Sequence, residues 1–231
     1  MRDVIFLNNH WYHICNRGVE KRKIFIDEGD YERFVCHLYE FNDTKLNPDI
    51  SFERRKQKIL ELVGNLVSDT RDKFVEIAVW SLVPNHFHLL IRQIKDNGVS
   101  LFLHKLGIGY TKGFNKKYER VGSLFQGSFK ARLVDNDEYF RYLFYYILSH
   151  PLELLDPQYK EKGTSDYNGA IQFLKSYKWS AYSDLICNVN FPAVINKDFI
   201  KEFFDEGEFK IFMEELVVSE TKFPTFMLNN F

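Results

Sequence analysis

Two rhythms of hydrophobic positions run along the chain. Trp11 to Asn16 reads as a strand leading into Arg17-Gly18. Asp27 to Asp30 resembles a helix start, and Tyr31, Phe34, Val35, Leu38 and Phe41 then recur at helical spacing, with a stop expected before Asn47-Pro48. Residues 48–71 are polar and charged, with helical spacing at Ile59, Leu62, Val63 and Leu66, and read as an inserted helix or helical loop. Phe74 to Leu82 is a strand, Val83-Pro84-Asn85 a turn, and His86 to Arg92 the returning strand. Alternation puts His86, His88 and Leu90 on one face of it and Phe87, Leu89 and Ile91 on the other. A helix is predicted over 99–117, weakened by Gly107, Gly109 and Gly113, glycines that could instead permit close approach to a strand or a ligand. Gly122 to Gly127 reads as a loop and Phe129 to Val134 as a strand, followed by a helix capped by Asn136 or Asp137 that runs to about Ser149 and stops at Pro151.

The first six elements predict an α+β fold, a ferredoxin-like βαββαβ core with an antiparallel sheet. One helix follows the last core strand. Beyond Pro151 the pattern gives a mostly looped C-terminal extension with helices near 168–176 and 197–218.

Composition narrows the class. The chain has 231 residues, 45% hydrophobic and 27% charged, enough for one sizeable core with an appendage. Cys15, Cys36 and Cys187 form no CxxC pair, which argues against a zinc ribbon and suits a reducing cytoplasm. No segment has the roughly 20 apolar residues that span a bilayer, and the N-terminus turns polar too early for a signal-peptide core. The expectation is a soluble cytoplasmic protein.

Charge is unevenly spread. Residues 1–134 hold 22 basic and 16 acidic residues, net +6, whereas 135–231 hold 9 and 16, net −7. Between Lys105 and Arg132 only Glu119 opposes a run of cations. A solvated helix face accounts for such a run as well as a phosphate-binding surface does.

Two features carry chemistry. His86 and His88 share a strand face, so their imidazoles can hold one divalent ion together; structural or surface histidines are the alternative. Tyr146 and His150 are four apart and stack on one helix face if the last turn continues, which would bring a third imidazole and a phenol to the same place. A tyrosine beside an ion suggests covalent phosphoryl transfer. The alternative is that Tyr146 packs with Tyr142, Phe144 and Tyr145 in an aromatic helix.

Five blocks in order carry a family likeness: Tyr12-His13-Ile14-Cys15-Asn16-Arg17-Gly18, Ala78 to Leu90 through Pro84-Asn85-His86-Phe87-His88, Gly122 to Lys130, Tyr146-Ile147-Leu148-Ser149-His150-Pro151, and Tyr177-Lys178-Trp179-Ser180-Ala181-Tyr182. Through these the chain resembles the single-tyrosine HUH transposases, the IS200-like superfamily and its REP-associated branch, over roughly residues 10–150. The resemblance implies a catalytic domain at 1–150, with 48–71 inserted, and an extension at 151–231. It implies a DNA transposase that cleaves and rejoins single-stranded DNA near hairpins through a 5′-phosphotyrosine. Tyr146 would be the nucleophile, ahead of Tyr110 in the basic region. His86 and His88 would hold Mg²⁺ or Mn²⁺. His150 stands where the family commonly has Asn or Gln, and Ser128 where the branch usually has Arg. The expected DNA contacts are Arg17, Lys21, Arg22, Lys23, Arg92, Lys105, Lys112, Lys116, Lys117, Arg120, Lys130 and Arg132, with Asn16, Phe125 or Gln126 near bases. The expected partner is single-stranded or hairpin DNA, bound by a monomer or a homodimer. Two other functions compete: a domesticated, noncatalytic DNA-binding protein, and a small-molecule-binding or structural α+β protein.

Overall fold

In the computed structural model, which describes residues 4–46, 52–65, 69–187, 190–197, 203, 204, 207, 208 and 211, the period-two segments pair into one four-stranded sheet. Its strands are β1 (Trp11–Arg17), β2 (Val75–Val83), β3 (His86–Gln93) and β4 (Lys130–Val134), in the spatial order β2-β3-β1-β4 with every neighbour antiparallel. Three helices belong to the core: α1 (Glu28–Glu40), α3 (Gly98–Lys117) and α4 (Asp137–Ser149). The order is the expected βαββαβ followed by a helix. Asp27 caps α1 in a reciprocal capping box with Asp30, and Asn136 caps α4 by accepting the Tyr139 amide.

The strand register sorts the side chains into two layers. Cys15 lies opposite His88 and Lys130, so Cys15, His88, Lys130, His13 and His86 project from one face. Tyr12, Ile14, Phe87 and Leu89 project from the other and pack on α1 and α3, as in the contacts of Phe34 with Phe87 and Tyr110. α4 crosses the histidine face, with Phe140 edge-on to Trp11. The sheet therefore separates an apolar layer from a chemical one.

Outside this core the expectations meet the structure unevenly. The 48–71 segment contains α2 (Phe52–Gly64), held to α1 by Arg55–Glu40 at 3.0 Å and Lys56–Glu32 at 2.7 Å. α1 ends at Glu40, ahead of the expected stop. The next residues let buried Asn42 donate to the Val75 carbonyl and accept from the Phe74 and Val75 amides, fixing the start of β2. α4 ends at Ser149 as expected, and the chain passes Pro151 in a 3₁₀ turn over His150–Leu154, at whose head proline is tolerated. Short helices follow: α5 (Tyr159–Lys162), α6 (Tyr167–Ser176) and α7 (Tyr182–Cys187). Trp179 stacks on Tyr31 of α1, and its carbonyl accepts the Leu82 amide while the Ala181 amide donates to Trp80. This segment bridges to the outer edge of β2 and covers it. The stop at Asn47-Pro48, Leu66 and most of the helix expected over 197–218 lie outside the described residues.

One buried base in this framework predicts acid sensitivity. His37 of α1 is 2% exposed, and burial, aided by Arg33 and Arg55, lowers its pKa from 6.5 to about 3. The folded chain keeps it neutral, while the unfolded chain takes up a proton below about 6.5. Its contribution to stability is therefore lost as pH falls from about 6.5 towards 3, by about 2 kcal/mol at pH 5. Urea unfolding of His37→Leu should show a shallower loss between pH 7 and 5 than wild type; an identical slope would exclude this role.

Candidate metal centre and its tyrosine

The first three residues of β3 place His86 and His88 on the face that α4 crosses. α4 delivers His150 at its C-terminal end. The Nε2 atoms of His86 and His150 stand 2.6 Å apart, and the ring centroids of His88 and His150 are 4.4 Å apart. One ligand nitrogen from each of His86, His88 and His150 falls within 4.8 Å of the others. His88 and His150 are buried and His86 is half-buried.

The outer side of each ring is also occupied. His86 Nδ1 donates to Asn85 Oδ1 at 2.6 Å, His88 Nδ1 faces His13 Nε2 at 2.9 Å, and His150 Nδ1 lies 3.4 Å from Glu153 Oε1. A proton held at each Nδ1 leaves the Nε2 lone pair for the centre, the outer-partner pattern of ligating histidines. The donor set thus fits a divalent ion. Three imidazoles suit Mn²⁺ and its transition-metal neighbours better than Mg²⁺, which prefers oxygen. Replacing His13 by Phe should weaken Mn²⁺ binding about 10–100-fold. Titration calorimetry on the protein alone would measure it, and unchanged affinity would show that His13 does not support the His88 imidazole as a ligand.

Tyr146 lies one turn before His150 on α4. Its ring centroid is 5.7 Å from His88 and 5.6 Å from His150. Only 5% exposed, it has a phenol whose pKa is pushed well above 10 by burial, with Glu153 adding to the effect. It still lines a cavity of about 350 Å³ shared with the three histidines, Cys15, Arg17 and Lys130. Tyr110 is placed differently: it is fully buried beneath the other sheet face, and its hydroxyl donates to the Ile24 carbonyl.

The sequence model described as "Transposase IS200 like" matches residues 6–150, the span that contains the sheet, the histidines and Tyr146. The chain belongs to this family. Among solved structures it is similar to a REP-associated tyrosine transposase bound to a REP hairpin, at 12% identity and a TM-score of 0.49, with 90% of this chain and 95% of that one covered. None of the curated proteins matches it.

In this IS200-like transposase the cations expected to meet DNA are spread over several elements. Arg17 and Lys130 line the cavity. Lys21, Arg22 and Lys23 follow the end of β1, where the Gly18 amide donates to Asn85 and the Lys21 carbonyl accepts from its side chain. The loop at 122–127 docks beside them, because the Gln126 amide donates to the Arg17 carbonyl and the Arg17 guanidinium to Gln126 Oε1. Gly18 is required there, since a β-carbon would strike the Arg22 carbonyl. Lys112 and Lys116 are exposed on α3, Arg132 is exposed on β4, and half-buried Arg120 donates to Asn115. Three cations are engaged elsewhere. Arg92 pairs with Glu76 opposite Trp11, six residues and roughly 20 Å along β1 from Arg17. Lys117 sits between Asp27 and Asp30, and Lys105 packs on Phe74 and donates to the Asp43 carbonyl. Among the described residues, no helix of this transposase is long and apolar enough to cross a membrane.

His13, Asn85, Glu153 and Cys15 were not predicted as site residues. His13 and Asn85 stand inside the family blocks, and alternation puts His13 and Cys15 on one face of β1. Which face of β1 joins the histidine face of β3 depends on their pairing, a tertiary fact.

Proposed function

We propose that this transposase cuts and rejoins single-stranded DNA beside hairpins through a covalent 5′-phosphotyrosine at Tyr146, with a divalent ion held by His86, His88 and His150. The observation that carries the reading is the shared cavity: a phenol and three converging imidazoles face the same space. His86, His88 and His150 would hold the ion, which would supply positive charge to orient the scissile phosphate and stabilise the charge developing on it. Arg17 and Lys130 at the cavity wall attract the DNA backbone. The Tyr146 oxygen attacks phosphorus as its phenol gives up a proton, the bond from phosphorus to the 3′ oxygen breaks, and the leaving oxygen takes up one proton to become a 3′-OH. Attack by another 3′-OH reverses the step and rejoins DNA without ATP, because the phosphotyrosine conserves the phosphodiester bond energy. The catalytic unit in this reading is 1–150, with 151–231 as an extension.

The test is incubation of a 3′-labelled single-stranded hairpin oligonucleotide with the protein and Mn²⁺ or Mg²⁺, followed by denaturing electrophoresis. Label migrating with the protein is expected. DNA that is bound tightly but never attached would favour a second reading, a noncatalytic DNA-binding descendant. Ser128 at the cavity wall, in place of an expected arginine, is the observation on that side.

A further inference from the structure

Among the described residues, one acidic side chain lines the cavity of the three histidines and Tyr146: Glu153. A carboxylate there is at odds with phosphate, since it repels the anion that Arg17 and Lys130 on the same wall attract. What it approaches is a candidate ligand. Glu153 Oε1 lies 3.4 Å from His150 Nδ1, with the imidazole 1% and the Glu153 side chain 26% exposed.

The local backbone creates this pair. α4 gives way at His150 to the 3₁₀ turn over His150–Leu154, with Pro151 at its head. Three residues per 3₁₀ turn align the side chains at i and i+3, so residue 153 stands over residue 150. A turn that begins where the family match over 6–150 ends thus reaches back into the cavity.

The pairing meets a need that a histidine at position 150 brings with it. An amide oxygen, the donor that the family resemblance leads one to expect there, has its lone pairs available in any protonation pattern. A neutral imidazole carries its proton on one nitrogen and can donate to an ion only from the other. At Nδ1, His86 meets the Asn85 amide oxygen at 2.6 Å and His88 meets the His13 imidazole at 2.9 Å, whereas His150 meets a carboxylate. A carboxylate holds the proton at Nδ1, aims the Nε2 lone pair at the centre and raises the donor strength of the ring.

We propose that Glu153 is a positioning residue of the metal centre, which fixes the proton and the ring of His150 so that Nε2 serves the ion. The inference deepens the proposed role of His150 as a ligand and rests on it. The working unit of the transposase then extends past residue 150 into the 3₁₀ turn.

Two measurements on the full chain without DNA test it: Mn²⁺ affinity by titration calorimetry, and the His150 tautomer of the metal-free protein by NMR of the ring nitrogens. Glu153→Leu should weaken Mn²⁺ binding at least about tenfold and shift His150 towards the Nε2–H form. Glu153→Gln, which keeps an acceptor oxygen, should recover part of both. In a His150→Asn background, Glu153→Leu should change Mn²⁺ affinity by less than about twofold, because asparagine has no tautomer to fix and the coupling is lost. Circular dichroism and Tm establish that each variant is folded. The proposal is overturned if Glu153→Leu and Glu153→Gln bind Mn²⁺ as wild type does. It is overturned equally if the loss is the same in both backgrounds, which would make Glu153 a direct ligand or a bulk charge. If wild type binds no Mn²⁺, the ligand role of His150 falls, and the tautomer decides Glu153 separately: a shift in Glu153→Leu keeps its hold on His150, and no shift removes it.

Discussion

Tyr146→Phe should abolish the covalent DNA complex, a loss of about a thousandfold or more, while Tyr110→Phe should leave it intact. The first substitution deletes one oxygen from a ring that is already 5% exposed, so packing on His88 and His150 is retained and the fold stays put. What disappears is the oxygen that attacks phosphorus in the proposed reaction. Tyr110 donates to the Ile24 carbonyl on the far side of the sheet. Removing its hydroxyl leaves a buried acceptor unsatisfied and costs about 1–3 kcal/mol of stability, read as a lower Tm with adduct yield unchanged. An adduct that persists in Tyr146→Phe would end the proposed mechanism.

His150→Ala should be nearly as damaging, and His150→Asn should not. Alanine removes one of three nitrogen donors, and Mn²⁺ affinity should fall by more than the roughly 10–100-fold typical of losing an outer partner. Asparagine restores an oxygen donor at the same helical position, the residue type that the family resemblance leads one to expect there. It should keep adduct formation and raise the yield with Mg²⁺ relative to Mn²⁺, because a harder donor favours the harder ion. Calorimetry with each ion and adduct yields in each ion measure the two effects. Equal Mg²⁺ and Mn²⁺ preferences in wild type and His150→Asn would show that His150 does not set the choice of ion.

Local patterns carried most of the core. Period-two alternation placed β1 to β4 within about a residue of their ends, and capping residues marked the starts of α1 and α4. The i, i+4 relation of Tyr146 to His150 survived because His150, both the C-cap of α4 and the first residue of the 3₁₀ turn, keeps helical backbone angles. The partners that finish the site were harder to read. His13 reaches His88 across 75 positions of sequence through the β1–β3 pairing, and strand order is not written in any local window. Charge counting met the same limit. Arg92 and Lys117 look free in the sequence, but each meets carboxylates brought to it by another element. Gly107 was grouped with Gly109 and Gly113, yet a β-carbon at Gly107 would meet nothing within 4 Å, whereas one at Gly109 would strike the Phe41 ring and one at Gly113 the Arg33 side chain; only packing distinguishes them.

Tyr146 and His150 ride on a single turn of α4. In the proposed reaction, swinging that helix outward with its attached strand would also withdraw a nitrogen from the ion, so cargo and anchor could not be parted. That reaction would exchange DNA ends in place, one strand terminus replacing another over a stationary helix. Tyr146 and the three histidines that line the cavity belong to one polypeptide, so the proposed nucleophile and the proposed ligands would move together.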